Sequence, residues 1–153
     1  MQTELLLALE ALRPGIRANW ENLLRIERIN SPLANPDTLV HLLDTTLDEI
    51  FRDLHVWSPR RHPPRAHEPL CPCGRNPLLA YFSSGRQALR EALIVVESAS
   101  HEHLVHQRDV AMECLDQVFD HIARREIESF CAICQFRSAV VNAAVVARQP
   151  AHA

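Results

Sequence analysis

The sequence predicts an all-α fold, a bundle of five helices. Apolar residues recur every three or four positions through most of the chain, which is the period of a helix that packs on one face. No segment alternates apolar and polar residues as half-buried strands do. The Asn-Pro pairs at Asn35 and Asn76 combine a capping side chain with the fixed φ that favours a helix start. We therefore expect a single helical domain over residues 1–148, followed by a disordered tail at 149–153.

The first predicted helix carries an apolar stripe that stays in phase across Pro14 and Gly15. The stripe consists of Leu5, Leu9, Leu12, Ile16, Trp20 and Leu23. Because proline removes a helical N–H and its ring collides with the preceding turn, we expect a kinked helix or two stacked pieces. The second helix begins at Pro36 behind the Asn35 cap and runs to about Val56. Its buried stripe is Leu39, Leu43, Leu47, Ile50 and Leu54.

A proline-rich loop is expected over residues 57–76, which hold five prolines. Irregular segments of this length in compact domains are usually functional or disordered. The loop has a positive patch of Arg60, Arg61 and Arg65, together with His62 and His67. Arginine suits phosphate and carboxylate groups, so the patch is a candidate partner-binding site. A solvated linker is the simpler interpretation.

Two long helices follow the loop and are joined by a short turn near residues 99–102. The third helix begins at Pro77 and has an in-phase stripe of Leu78, Phe82, Gly85, Leu89, Ala92 and Val96. Gly85 falls on this stripe, where a missing side chain permits close approach of another helix. The inward positions of the fourth helix are Leu104, Ala111, Leu115, Val118, Ile122 and Phe130. Cys114 lies beside them as a small core residue. A fifth helix, rich in Ala and Val, is predicted from about Ile133 to Arg148.

Four cysteines form two pairs, "CPC" at 71–73 and "CAIC" at 131–134. Because their connection is short, helices three and four should pack as an antiparallel hairpin. The midpoint between Cys73 and Cys131 is position 102, inside the predicted turn, and Cys71 and Cys134 are centred at nearly the same place. Folding the hairpin should bring all four sulfurs to one end. Four converging thiolates are the ligand set of a structural zinc ion.

The residues around the cysteines suit such a site. Pro72 stiffens the first pair, and Gly74 allows the backbone to turn sharply behind it. The helix that opens at Asn76-Pro77 can stabilise the negative charge of zinc held by four thiolates. Coincidentally buried thiols, a disulfide and an iron–sulfur centre are the alternatives.

The cysteine motifs resemble two known zinc modules. "CPCG" at 71–74 resembles the opening of the SEC-C metal-binding knuckle, a short zinc module appended to other proteins. The order Cys-x-Cys then Cys-x-x-Cys is similar to that of the redox-regulated bacterial heat-shock chaperone, whose zinc centre oxidises under stress. Beyond the motifs this chain departs from both, because "RNPLLAYF" is a helix start and no β-rich body is predicted. The resemblances imply zinc ligation by Cys71, Cys73, Cys131 and Cys134.

The remaining polar clusters have structural explanations. Three histidines cluster at the start of helix four without the carboxylates of a di-iron site and are interpreted as a solvated first turn: His101, His103 and His106. A charged face of helix two, opposite its leucines, is interpreted as solvent-exposed: His41, Asp44, Asp48, Arg52 and His55. His121, next to Ile122, is interpreted as an interior histidine.

Composition excludes several classes of function. The net charge of −3 provides no general attraction for nucleic acid or an anionic membrane. No stretch approaches the ~18 apolar residues of a membrane span, and the first residues lack the cationic start of a signal peptide. We therefore expect a cytoplasmic protein, in which clustered cysteines hold metal. No nucleophile elbow, phosphate loop or carboxylate pair indicates an enzyme.

The sequence thus predicts a small regulatory, adaptor or sensor-like module that contains a structural zinc ion and binds another protein. The alternative is a thiol-based redox switch that uses the same centre. A symmetric homodimer is expected if helix one or helix five exposes an apolar stripe. The sequence does not indicate whether the bundle holds a small ligand or haem.

Overall fold

The computed structural model describes residues 3–27, 32–56, 71, 74–99 and 105–134. Over these residues every regular element is helical, which confirms the predicted all-α class. The helices are α1 (Thr3–Ala11), α2 (Arg13–Ile26), α3 (Pro36–Leu39), α4 (Leu43–Val56), α5 (Leu78–Ala99) and α6 (Val105–Ile133). Short 3-10 segments at Pro32–Ala34 and Val40–Leu42 precede α3 and join it to α4.

The predicted interruption of the first helix separates it into α1 and α2. The break falls at Leu12, so that Pro14 lies in the first turn of α2. A proline there loses no helical hydrogen bond, because the first N–H groups of a helix have no partner within it. The Leu12 carbonyl accepts the Ile16 amide at 2.9 Å and starts the new helix.

The Asn35 side chain caps α3 as predicted. Its Oδ1 accepts the backbone N–H of Asp37 at 3.0 Å, and Pro36 occupies the first turn. The predicted stripe of this segment is buried along its whole length, from Leu39 to Leu54.

One hydrophobic core joins the described helices. α2 packs along α5, α6 packs against α5 and α4, and α1 contacts both α4 and α5. A cluster of buried rings lies in this core, with successive ring centroids 4.8 to 6.2 Å apart: Trp20, Tyr81, Phe82 and Phe119. Tilted and edge-on contacts of this kind are the favoured geometries of aromatic pairs.

The buried faces are wider than the predicted stripes. Buried positions outside those stripes include Leu6, Leu24, Tyr81, Leu93, Phe119 and Ile127. Predicted positions that are only partly buried include Leu5, Leu12, Leu23, Leu78, Ala92 and Phe130. A single stripe suits a helix with one neighbour, whereas α2, α5 and α6 each contact several.

α5 and α6 form the predicted antiparallel hairpin. Arg90 pairs with Asp116, and Arg86 pairs with Asp120. Residue numbers therefore decrease along one helix where they increase along the other, as in any antiparallel pair. α5 ends at Ala99 and α6 begins at Val105, so the midpoint between the two helix ends is position 102.

Several predicted features lie outside the described residues. They are the loop patch of Arg60, Arg61 and Arg65, together with Cys73, His101, His103, the fifth helix and the tail. His106 belongs to α6, but its side chain is likewise outside the description. In the part of the chain that is described, no helix combines the length and apolar character needed to cross a membrane.

Candidate metal centre

Cys71 and Cys131 meet at the end of the hairpin that lies away from its turn. Cys71 precedes α5, and Cys131 lies in the last turn of α6. Both residues are buried, with exposed fractions of 6% and 7%. Their thiols are close enough to interact directly. The antiparallel hairpin therefore brings together two cysteines that are distant in sequence.

Cys134 lies beside this pair. It follows α6 directly and is half-buried. Its backbone N–H donates to the Cys131 carbonyl at 3.3 Å, which keeps the two residues of the "CAIC" motif close. The Cys134 thiol is also near enough to act electrostatically on Cys131. Three of the four predicted ligands thus lie at the same end of the hairpin.

The backbone turns sharply after Cys71. Gly74 has a φ of +64°, in the left-handed region that residues with a Cβ seldom adopt. Its N–H donates to the Cys71 carbonyl at 3.2 Å and closes the turn. Gly74 therefore adopts the kind of backbone conformation for which the sequence predicted a glycine here.

Asn76 connects the start of α5 to the end of α6. The residue is only 1% exposed. Its Oδ1 accepts the Leu78 N–H at 2.9 Å, and its Nδ2 donates to the Ile127 carbonyl at 3.1 Å and to the Cys131 Sγ at 3.4 Å. Sequence reasoning identified the helix-start role of Asn76 and missed the sulfur contact. The Asn-Pro pattern is a local signal, and it carries no information about a contact with α6.

The pKa of the Cys131 thiol is raised above its ordinary value. Burial is the largest cause, because it disfavours the charged thiolate. The Asn76 N–H acts in the opposite direction by stabilising the thiolate, while contact with Cys71 and the charge of Cys134 raise the pKa further. Without a cation this environment favours the protonated form of the Cys131 thiol. A bound divalent cation would displace that proton.

The described residues alone do not complete a metal site. Among them, no group of three or more His, Cys, Asp or Glu side chains is arranged to hold a cation. A zinc ion with four thiolate ligands also requires Cys73, which lies outside the description, and the half-buried Cys134. The zinc assignment therefore stays a prediction.

The charged face of α4 is exposed, as predicted, and pairs with α2. Arg13 Nη1 lies 2.5 Å from Asp48 Oδ1, and Arg17 Nε lies 3.1 Å from Asp44 Oδ2. Since these pairs face solvent, each contributes little to stability. The arrangement is a solvated ion-pair surface between two helices.

Two further interpretations have opposite outcomes. Cys114 is 2% exposed and belongs to the core, as predicted. His121 is exposed, so its interpretation as an interior histidine is wrong. Neighbouring residues on a helix point about 100° apart, and the burial of Ile122 therefore leaves His121 outside the packed face.

The candidate centre is supported by the residues of this chain alone. No protein-family model matches the chain, and no curated protein or solved structure matches it either.

Proposed function

We propose that this protein is a small cytoplasmic helical module that binds another protein and whose hairpin end is closed by a structural zinc ion. The zinc ligands are Cys71, Cys73, Cys131 and Cys134. The observation that carries the proposal is the buried contact between Cys71 and Cys131, with Cys134 beside it. Thiolates favour zinc and other soft metals. Four of them leave no coordination position for a substrate, so the metal has a structural role.

The position of the cysteines explains what the metal would stabilise. Cys71 lies in the segment that precedes α5, and Cys131 lies close to the end of α6. Zinc bound to both would connect that segment to the hairpin. Binding of a structural zinc ion contributes on the order of 10 kcal/mol to the folding of small zinc modules. Here the helical core, which extends well beyond Cys71 and Cys131, reduces the dependence of the whole fold on the metal.

Metal content tests the site. We expect about one zinc ion per chain in protein purified under reducing conditions, measured by mass spectrometry of the metal. Cys71→Ser and Cys131→Ser should lose most of it. Cys114→Ser is the matched control, because Cys114 is also a buried cysteine of α6 but is none of the four predicted ligands. A helical, stable wild-type protein without metal would contradict the proposal.

The partner-binding role is assigned to Arg60, Arg61 and Arg65. Replacing all three arginines with Glu should abolish cross-linking to a specific partner in cells. Helicity and zinc content should stay unchanged. Arg124→Glu on α6 is a charge-reversal control on a different surface. Cross-links that survive the triple reversal would exclude the arginine patch, and a wild-type protein without any specific cross-link would count against the adaptor role.

A thiol-based redox switch is the second candidate, and the Cys71–Cys131 contact favours it as well. The two thiolates would give two electrons to hydrogen peroxide. With two protons the peroxide becomes two water molecules, while a Cys71–Cys131 disulfide forms and the zinc ion is released. Burial of both sulfurs should slow this attack.

Mild peroxide distinguishes the two candidates. Release of zinc within minutes, with a disulfide mapped to Cys71 and Cys131 and a change in partner binding, would support the switch. Retention of zinc and of thiols under the same treatment would support the structural role.

A further inference from the structure

We propose that Asn76 is an outer-shell residue of the zinc centre, one that holds the Cys131 sulfur in place and stabilises its thiolate. This inference rests on the zinc site proposed above. It adds a positioning residue that belongs to neither cysteine pair. The relevant contact is the hydrogen bond from Asn76 Nδ2 to Cys131 Sγ at 3.4 Å.

The hydrogen bonds of Asn76 determine which end of its amide faces the sulfur. The Oδ1 atom accepts the Leu78 N–H at 2.9 Å, so the NH2 group must point towards α6. Of its two protons, one goes to the Ile127 carbonyl and the other to the Cys131 sulfur. A side chain held by three partners, with only 1% of its surface exposed, is a donor in a fixed position.

A helix cap alone does not need this burial. Asn35 makes the same type of cap, with Oδ1 accepting the Asp37 N–H at 3.0 Å, and it is exposed. Burying an amide carries an energetic cost unless its polar atoms are bonded. The second and third bonds of Asn76 meet that requirement, and one of them ends on a proposed ligand.

The chemistry of a metal thiolate explains what the donor would do. An N–H group directed at a negatively charged sulfur forms a charge-assisted hydrogen bond. Outer-shell donors of this kind orient the ligand, and their loss typically weakens metal binding by about 10- to 100-fold. The contact joins α6 to the helix start that follows the first cysteine pair, so it also positions Cys131 relative to Cys71.

Asn76→Ser tests the role in the full-length chain. Serine keeps an oxygen that can accept the Leu78 N–H, but it lacks the NH2 group. We expect its apparent zinc affinity, measured by competition with a chromophoric chelator, to fall by about 10- to 100-fold. Asn35→Ser is the matched control, since it makes the same change at a cap without a sulfur contact. Its zinc affinity should stay unchanged.

Cobalt substitution provides a readout that a capping defect does not alter. Loss of the N–H donor raises the energy of the sulfur lone pair. The thiolate-to-cobalt charge-transfer band of Asn76→Ser should therefore shift to lower energy, while that of Asn35→Ser should match the wild type. Asn76→Asp has nearly the same shape and places a carboxylate near the sulfur, so it should bind zinc more weakly than Asn76→Ser.

The outcomes separate this inference from the zinc proposal. Wild-type affinity and an unshifted band in Asn76→Ser would overturn the role of Asn76 and leave the zinc site standing. A wild-type protein that binds neither zinc nor cobalt would overturn both.

Discussion

The indole ring of Trp20 on α2 lies directly against Gly85 on α5. A Cβ atom at Gly85 would overlap three carbon atoms of that ring. The indole N–H also donates to the Tyr81 carbonyl at 2.9 Å, one turn earlier in α5. The two helices can therefore approach closely because Gly85 has no side chain, in agreement with the close contact predicted for this residue.

Gly85→Ala should lower the free energy of unfolding. Alanine is the better helix former by about 1 kcal/mol, but overpacking of a filled core costs roughly 1–3 kcal/mol. Trp20 is fully buried and hydrogen-bonded, so the ring cannot easily move away. Urea unfolding, followed by circular dichroism, measures the net change.

Gly15→Ala is the control for this prediction. Gly15 lies in α2, and a Cβ there would have no atom within 4 Å. The substitution should raise stability by about 0.4–1 kcal/mol, because it restricts the unfolded chain without a steric cost. Stabilisation by both substitutions would contradict the close approach at Gly85.

Tyr81 should ionise only at strongly alkaline pH. Burial raises the pKa of Tyr81 well above its ordinary value, and the hydrogen bond to Thr46 is a smaller effect in the opposite direction. Because Tyr81 is the only tyrosine, the tyrosinate absorption band reports this residue alone. The band should stay absent from the folded protein at pH values near 10, where the unfolded chain titrates.

The same shift makes stability depend on pH. The folded state holds the phenolic proton more tightly, so this contribution is complete below the ordinary pKa and declines as pH rises above it. Tyr81→Phe should lack that part of the alkaline decline in unfolding free energy. Titration of folded Tyr81 at its ordinary pKa would contradict the burial argument.

The ion pairs across the hairpin should have small effects that depend on salt. Arg90 Nη2 lies 2.5 Å from Asp116 Oδ2, with both side chains partly exposed. Asp116→Asn should therefore cost about 0.2–1 kcal/mol at low ionic strength and less at high ionic strength. Urea unfolding at two salt concentrations measures the difference.

Arg86 offers a comparison on the same surface. It pairs with Asp120, and its guanidinium carbon also lies 5.4 Å from the centroid of the Phe119 ring. Arg86→Gln should lose this cation–π contact as well. Part of its effect should therefore persist at high salt. A loss of the whole effect in high salt would show that the ring contact contributes nothing.

Removal of the proposed zinc ion should loosen one end of the molecule and leave the core folded. After treatment with a chelator, amide hydrogen exchange should accelerate at residues 74–79 and 127–134. Protection around Trp20 in α2 should persist, because Trp20 is held by ring contacts with Tyr81 and Phe119 that do not involve the cysteines. Exchange that accelerates over all helices would indicate that the metal is needed for the whole fold. Unchanged exchange would exclude a structural metal.

The sequence by itself determined the helical class, the cap at Asn35, the antiparallel hairpin and the close approach at Gly85. Each of these depends on local information. The period of apolar residues indicates a helix, an Asn-Pro pair marks its start, and a short connection makes its neighbour antiparallel. The equal spacing of Cys73 and Cys131 from the predicted turn, and of Cys71 and Cys134, predicted that the cysteines would converge at one end of the hairpin.

Only the tertiary structure decided which face of each helix is buried and what surrounds the cysteines. Leu6 and Leu24 are buried because α1 and α2 each contact more than one helix, and a single stripe does not contain that information. His121 lies on the exposed side of α6. The donation from Asn76 to Cys131 depends on the relative placement of two helix ends that are distant in sequence. Local propensity does not encode such a contact, because it arises only when α5 and α6 are packed together.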